Sequence, residues 1–247
     1  MAALPPDVRK SLIFRSVRIS LGCAPVYRRG AASALSLNQA MPERHSFSAH
    51  HAAKPHNDPM NTRPLFIPVI LGTTRKGRAS ENVAKFVFGE VQKRDGVETE
   101  LIDIRDLRFP SDNAGEQIKD ARFSATCERA DGFVIVTPEY NHGYPGMLKH
   151  VLDTNLKEYI HKAVGICGVS AGGFGGTRVI EGLLPVLREL GLVTIFWDGN
   201  FSGAQSLFDE AGNIRDRATH EKRIDKFLGE LIWMSKVLHY GREQVPI

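Results

Sequence analysis

Three stretches of this 247-residue chain carry residue types that can hold and orient a ligand. The first runs Gly72-Thr73-Thr74-Arg75-Lys76-Gly77-Arg78-Ala79-Ser80-Glu81-Asn82. Hydroxyls and cations lead into a helical pattern, so the free N–H groups and positive end of that helix stand behind them. That is the composition of a phosphate site. An ordinary loop with Ser80 as the helix N-cap is the structural alternative. The spacing matches neither the Gly-Lys-Ser/Thr loop of ATP-binding proteins nor the Gly-x-Gly-x-x-Gly dinucleotide fingerprint. The second stretch, Thr137 to Gly146 (TPEYNHGYPG), supplies aromatic planes, turn formers and backbone N–H groups that can wrap the edge of a flat heterocycle. It also reads as a strand-to-helix turn with Pro145-Gly146 opening the helix. The third, Ser170 to Thr177 (SAGGFGGT), holds four glycines, which let backbone approach a planar ligand.

These loops need a rigid frame. Leu65 to Leu71 (LFIPVIL) is a short apolar run ending at Gly72. Ser80 to Arg94 has helical period, with Val83, Phe86, Val87 and Val91 on one face. Further strands are predicted at Val97 to Ile102, Gly132 to Thr137, Ala163 to Val169 and Leu192 to Phe196. Helices are predicted at Lys119 to Ala130, Gly146 to Leu156, Gly176 to Leu190 and Thr219 to Leu238. Continuous apolar strands alternating with amphipathic helices imply an α/β fold: a doubly wound, five-stranded parallel sheet with helices on both faces. Strand order is either flavodoxin-like (2-1-3-4-5) or Rossmann-like. The three loops then follow the first, third and fourth strands, at the carboxyl edge where such sheets bind ligands. Pro68 interrupts the first strand, so pairing there must spare its missing amide.

The formal charge of +4 is unevenly spread. Residues 1–60 hold eight Lys and Arg against three acids, and the other 187 residues hold 24 against 25. The core is therefore neutral, and neither a nucleic-acid partner nor a membrane span is expected. Residues 1–60 are Arg- and Ser-rich and acid-poor. They read as a disordered extension, an upstream translated stretch or an organelle transit peptide. The compartment expected is cytoplasmic, or an organelle if residues 1–60 act as an address. Three Cys cannot form a disulfide framework, and no metal-ligand cluster is evident. Cys127 and Cys167 fall where small buried thiols are common.

Pro138-Glu139-Tyr140-Asn141, followed by Pro145-Gly146, Leu148-Lys149 and Leu152-Asp153, resembles the signature of the NADPH-dependent FMN reductases, which include flavodoxin-like quinone and chromate reductases. The resemblance covers about Leu65 to Leu238. It implies the flavodoxin-like order 2-1-3-4-5 and the cofactors FMN and NADPH, with NADH as a further donor. It implies that Thr73, Arg75, Ser80 and Asn82 hold the FMN phosphate, and that Pro138, Glu139, Tyr140 and Asn141 line the ribityl chain and ring edge. Ser170, Gly172 and Gly173 then lie beside the isoalloxazine. His142 and Tyr144 flank the substrate pocket, and no side chain is assigned as acid or base. The activity implied is two-step transfer from NADPH through FMN to quinones, chromate, azo compounds or free flavin, by a homodimer or homotetramer. A flavodoxin-type carrier or a flavin-loaded regulator is the rival, though carriers are usually strongly acidic and this core is not. The chain departs from the family at Arg78 (often Ser), at Thr154-Asn155 (often Trp) and at His161-Lys162 (usually Lys-Pro).

Overall fold

The computed structural model describes residues 63–110 and 115–246. The expectations for residues 1–60, and Cys23, lie outside the described residues. The chain runs β1 (Leu65–Phe66), β2 (Val69–Leu71), α1 (Ser80–Gln92), β3 (Val97–Glu98), β4 (Leu101–Asp103), a 3-10 turn (Gly115–Ile118) and α2 (Ala121–Arg129). It continues through β5 (Gly132–Pro138), α3 (Gly146–Asp153), β6 (Lys162–Val169), α4 (Thr177–Glu189), β7 (Leu192–Thr194), β8 (Gly199–Phe201) and α5 (Arg217–Gln244). Every named strand pair is parallel. The main sheet is ordered β4-β2-β5-β6-β7, with β8 also on β6, and β1 pairs with β3.

Two of the five expected strands are each drawn in two pieces, the fifth is cut short at Thr194 and followed by an unexpected strand, β8, and the path is the expected 2-1-3-4-5. The break between β1 and β2 falls at Ile67-Pro68. Ile67 N donates to Glu98 O (2.9 Å), and Pro68 O accepts from Val134 N (3.0 Å). Even-numbered residues here face β5, so the proline forfeits one bond on that side and none on the other. Between β7 and β8 the chain bulges. Ile195 N still reaches Val164 O (3.0 Å), while Phe196 and Trp197 swing outward and give their amides to the Glu230 carboxylate (3.1 and 3.2 Å).

Helices cover both faces, as near-continuous apolar strands require. On one face α1 and α5 pack Val83, Val87, Phe227, Leu228 and Leu231 against Leu65, Val69, Val134 and Val136. On the other, α2, α3 and α4 pack Phe123, Val151, Leu152, Ile180 and Leu183 against Ile70, Ile102, Ile135 and Ile166. Pro185 lies within α4, which continues past it to Glu189.

The family departures at the far edge of the sheet are structural. Thr154 and Asn155 are buried, Thr154 Oγ1 donating to Val151 O (2.8 Å) and Ser124 Oγ to Asn155 Oδ1 (2.7 Å), which ties the end of α3 to α2. Lys162 Nζ donates to Cys127 O and Glu128 O (both 2.7 Å), capping the carbonyl end of α2. Burial lowers its pKa to about 8. Burial likewise pushes the Cys127 thiol up to about 12 and the Cys167 thiol upward too, so both stay protonated and inert.

Candidate active site

A cavity of about 360 Å³ opens at the carboxyl edge of the sheet, where the loops after β2, β5 and β6 meet. Arg75 and Lys76 come from the first loop, Tyr140 from the second, Ser170 and Ala171 from the third. A fourth segment, Ala204-Gln205 after β8, also lines it. That segment carries no chemical motif in its sequence. Ala204 N donates to Ser170 O (3.0 Å) and Gly203 N to Gly172 O (3.3 Å), so it buttresses the third loop.

The first loop is built around Arg78. Its side chain is 1% exposed and forms an ion pair with Asp103, at the end of β4, through two hydrogen bonds. A third bond goes to the carbonyl of Thr73. Arg105 clamps the same loop from outside, donating to Thr74 O (3.2 Å) and Arg75 O (2.7 Å). The charge of Arg78 is thus taken up within the protein, and Arg75 and Lys76 are the cations left at the cavity. Ser80 is the first residue of α1, not its cap. The cap position is Ala79, which makes no side-chain capping bond. Ser80 Oγ is buried and has no hydrogen-bond partner.

The second loop is a tight two-residue turn. Tyr140 N donates to Gly143 O and Gly143 N to Tyr140 O (both 2.9 Å), with Asn141 (φ 49°) and His142 (φ 66°) left-handed at its tip. Such φ values are costly for a non-glycine residue and concentrate at functional sites. Tyr140 Oη lies 3.2 Å from Thr73 Oγ1, and the Arg75 guanidinium stands 5.6 Å over the Tyr140 ring. Glu139 is 8% exposed at its side chain; Oε1 pairs with Arg178 at 3.3 Å, and Oε2 is buried without a partner. Tyr144 packs toward Gly182 of α4, and both aromatics of the loop are half-buried.

In the third loop the glycines divide. Gly175 and Gly176 have positive φ (60° and 80°), and a Cβ on Gly176 would meet the backbone of Gly168 at 2.6 Å. Those two serve the junction of β6 and α4. Gly172 and Gly173 face open space, with nothing within 4 Å of a Cβ position.

Of the residues expected from the sequence, Arg75, Ser80, Pro138, Glu139, Tyr140 and Ser170 line this cavity. Thr73 lies behind it through Tyr140, and Asn141, His142 and Gly172 stand at its rim loops. Gly173 lines a neighbouring groove. Asn82 is exposed on α1 and lines a different cleft, shared with the loop before α5.

The fold and loops fit the outcome of a family comparison. The model of the NADPH-dependent FMN reductases matches residues 66–202. The chain belongs to that family. Among curated relatives, an NADPH azoreductase of Bacillus sp. (strain OY1-2) is 34% identical over 120 residues, 47% of this chain and 64% of its own length. A quinone reductase of Pseudomonas putida is 27% identical over 172 residues, 65% of this chain and 91% of its own. Among solved structures, the flavoenzyme NAD(P)H:(acceptor) oxidoreductase FerB of Paracoccus denitrificans shares the fold, with a TM-score of 0.58 at 24% identity over 70% of this chain and 98% of its own. No group of three or more metal-ligating side chains occurs among the described residues.

Proposed function

We propose that this protein is an FMN-loaded, NADPH-dependent oxidoreductase that passes electrons to small acceptors such as quinones, azo compounds, chromate or free flavin. One observation carries the reading. The uncapped N-terminus of α1, with the unpartnered Ser80 hydroxyl, opens into the same cavity as the unpartnered Glu139 carboxylate oxygen. Buried polar atoms without partners are costly unless a ligand meets them. A phosphate fits the helix end, Ser80, Arg75 and Lys76. A hydroxylated chain fits Glu139, with Thr73 holding Tyr140 in place. A flat ring fits the slot between Pro138-Tyr140-Asn141 and the bare backbone of Gly172-Gly173. FMN, when bound, supplies the hydride-accepting and electron-donating chemistry. The protein orients it, keeps water from its buried edge with Pro138 and Val169, and presents N–H groups from the turn at Asn141 to the ring edge. His142, exposed at the tip of that turn, flanks the acceptor's approach.

The test is direct. The protein loaded with FMN shows a flavin spectrum that bleaches on anaerobic addition of NADPH and recovers with a quinone. A protein that takes up no FMN overturns the proposal. Negligible steady-state NADPH oxidation would instead identify a carrier. Homodimers or homotetramers fit the outward face of α5, where Trp233, Val237 and Tyr240 form an exposed stripe opposite the core face. A monomer mass by light scattering overturns that part. The cytoplasm suits two buried free thiols.

A further inference from the structure

A groove of about 690 Å³ lies on the far side of the third loop from the flavin cavity. Its walls are Phe174, Phe196 and Trp197, and Arg223 and Lys226 of α5 stand at its edge with Asp198. The fold does not account for these aromatics. Phe174 is 65% exposed, Phe196 79% and Trp197 45%, and none belongs to either core. Yet they are held in place. The Glu230 carboxylate takes the amides of Phe196 and Trp197, and their rings meet edge to face at 5.1 Å. The Arg178 guanidinium stands 4.8 Å over Phe174, and Lys226 Nζ 5.3 Å over Trp197. Among the described residues neither Arg223 nor Lys226 forms an ion pair with a carboxylate.

We propose that this groove seats the adenosine end of NADPH, with the purine against the aromatic walls and the 2′-phosphate on Arg223 and Lys226. The inference rests on the reductase reading above. Two unpaired cations beside aromatic faces match an anionic aromatic ligand. Ala171 lines the flavin cavity and Gly173 the groove. Two residues of chain span about 7 Å at most. A dinucleotide with its nicotinamide over the flavin therefore has its adenosine within reach of the groove. Asp198 is placed to accept from the purine amino group or a ribose hydroxyl. The cations of the first loop do not compete for this role, because Arg78 is paired with Asp103 and Arg75 and Lys76 face the FMN phosphate site.

The chain has two tryptophans, so the Trp233→Phe protein reports on Trp197 alone. Titrated with adenosine 2′,5′-bisphosphate, its emission falls saturably. In the added Arg223→Ala/Lys226→Ala background the affinity drops roughly tenfold or more. The NADPH-to-NADH ratio of KM in that double variant moves by a similar factor, with FMN uptake retained as the check on folding. FMN uptake and bleaching by NADPH without any quenching, or quenching that ignores both substitutions, overturns the groove assignment and leaves the reductase reading standing. Wild-type protein that takes up no FMN overturns both. A Trp197 emission that instead shifts with protein concentration, alongside a dimer mass without nucleotide, overturns it in favour of a second copy of the chain.

Discussion

Asp131 at one edge of the sheet and the pair Ser80 and Glu139 at the other are buried polar groups handled in opposite ways. At the amino edge, Asp131 is 1% exposed at its side chain and fully answered. Phe66 N donates to it at 2.9 Å, Arg63 through two bonds at 2.7 and 3.0 Å, and Arg242 at 3.1 Å, with His239 Nδ1 at 2.9 Å. These partners come from the start of the fold and the last turns of α5, so one carboxylate ties the chain's two described ends to β5. At the carboxyl edge, Ser80 Oγ and Glu139 Oε2 are equally buried and unanswered. A satisfied network stabilises the fold, whereas an unsatisfied one costs stability and reserves its bonds for a ligand. Tyr159 Oη and Ser235 Oγ are also buried without partners, but of these atoms only those of Ser80 and Glu139 belong to residues lining the cavity.

The comparison breaks first at Asp131. Asp131→Ala leaves Arg63, Arg242 and His239 around an uncompensated site, and removing one partner of a buried ion pair costs about 3–5 kcal/mol. Urea unfolding of the apoprotein measures it, and FMN affinity of the folded fraction stays near wild type because the change is at the other edge. The same group sets an acid limb. Burial alone would raise the Asp131 pKa, but the Arg63 guanidinium and the Phe66 N–H outweigh it and hold the carboxyl below its usual value. Its contribution is therefore full above the unfolded carboxylate pKa of about 3.9 and is lost as pH falls from there through the depressed folded value. Asp131→Asn flattens that limb of stability against pH. A wild-type profile that is flat below pH about 4 contradicts the network's assigned role.

Ser80→Ala sharpens the other side. It removes a hydroxyl that has no protein partner, so apoprotein stability holds or rises slightly, while FMN affinity in a fluorescence titration falls roughly tenfold, the worth of one hydrogen bond to a charged group. A loss of apoprotein stability instead would make Ser80 a structural residue like Asp131. The smallest effect is expected at Asn82→Ala, which changes FMN affinity by less than about twofold, because an exposed residue on another cleft contributes within about 0.5 kcal/mol.

Much of the architecture was legible because it is written in periodicity. Gly132 to Val136 and Ala163 to Val169 are apolar without interruption and buried throughout. The spacing in α5 predicts one face of Ile224, Phe227, Leu228, Leu231, Ile232, Ser235 and Leu238; five of these are buried, and Ile232 and Leu238 pack half-buried beside them. The breaks were less legible. Pro68 signalled trouble in the first strand, but the bulge at Phe196-Trp197 depends on Glu230, a residue over thirty positions away. The site divided along the same line. The hydroxyl, aromatic and glycine types marked the three loops, but that the Arg78 charge is taken up within the protein depends on Asp103, twenty-five positions away. Ala204 and Gln205 line the cavity with side chains too plain to betray a site.

By itself, the sequence determined the element types, the parallel α/β class and the three loops able to carry a flavin. Each of these depends on residues close together in the chain, where apolar period and local turn chemistry decide the outcome. Tertiary structure alone decided which cations are spent and which are free, which glycines serve the fold and which face open space, and which buried polar atoms lack partners. Those are properties of pairs distant in sequence. A charge, a φ angle or a buried hydroxyl acquires its chemical meaning only from what the fold sets against it.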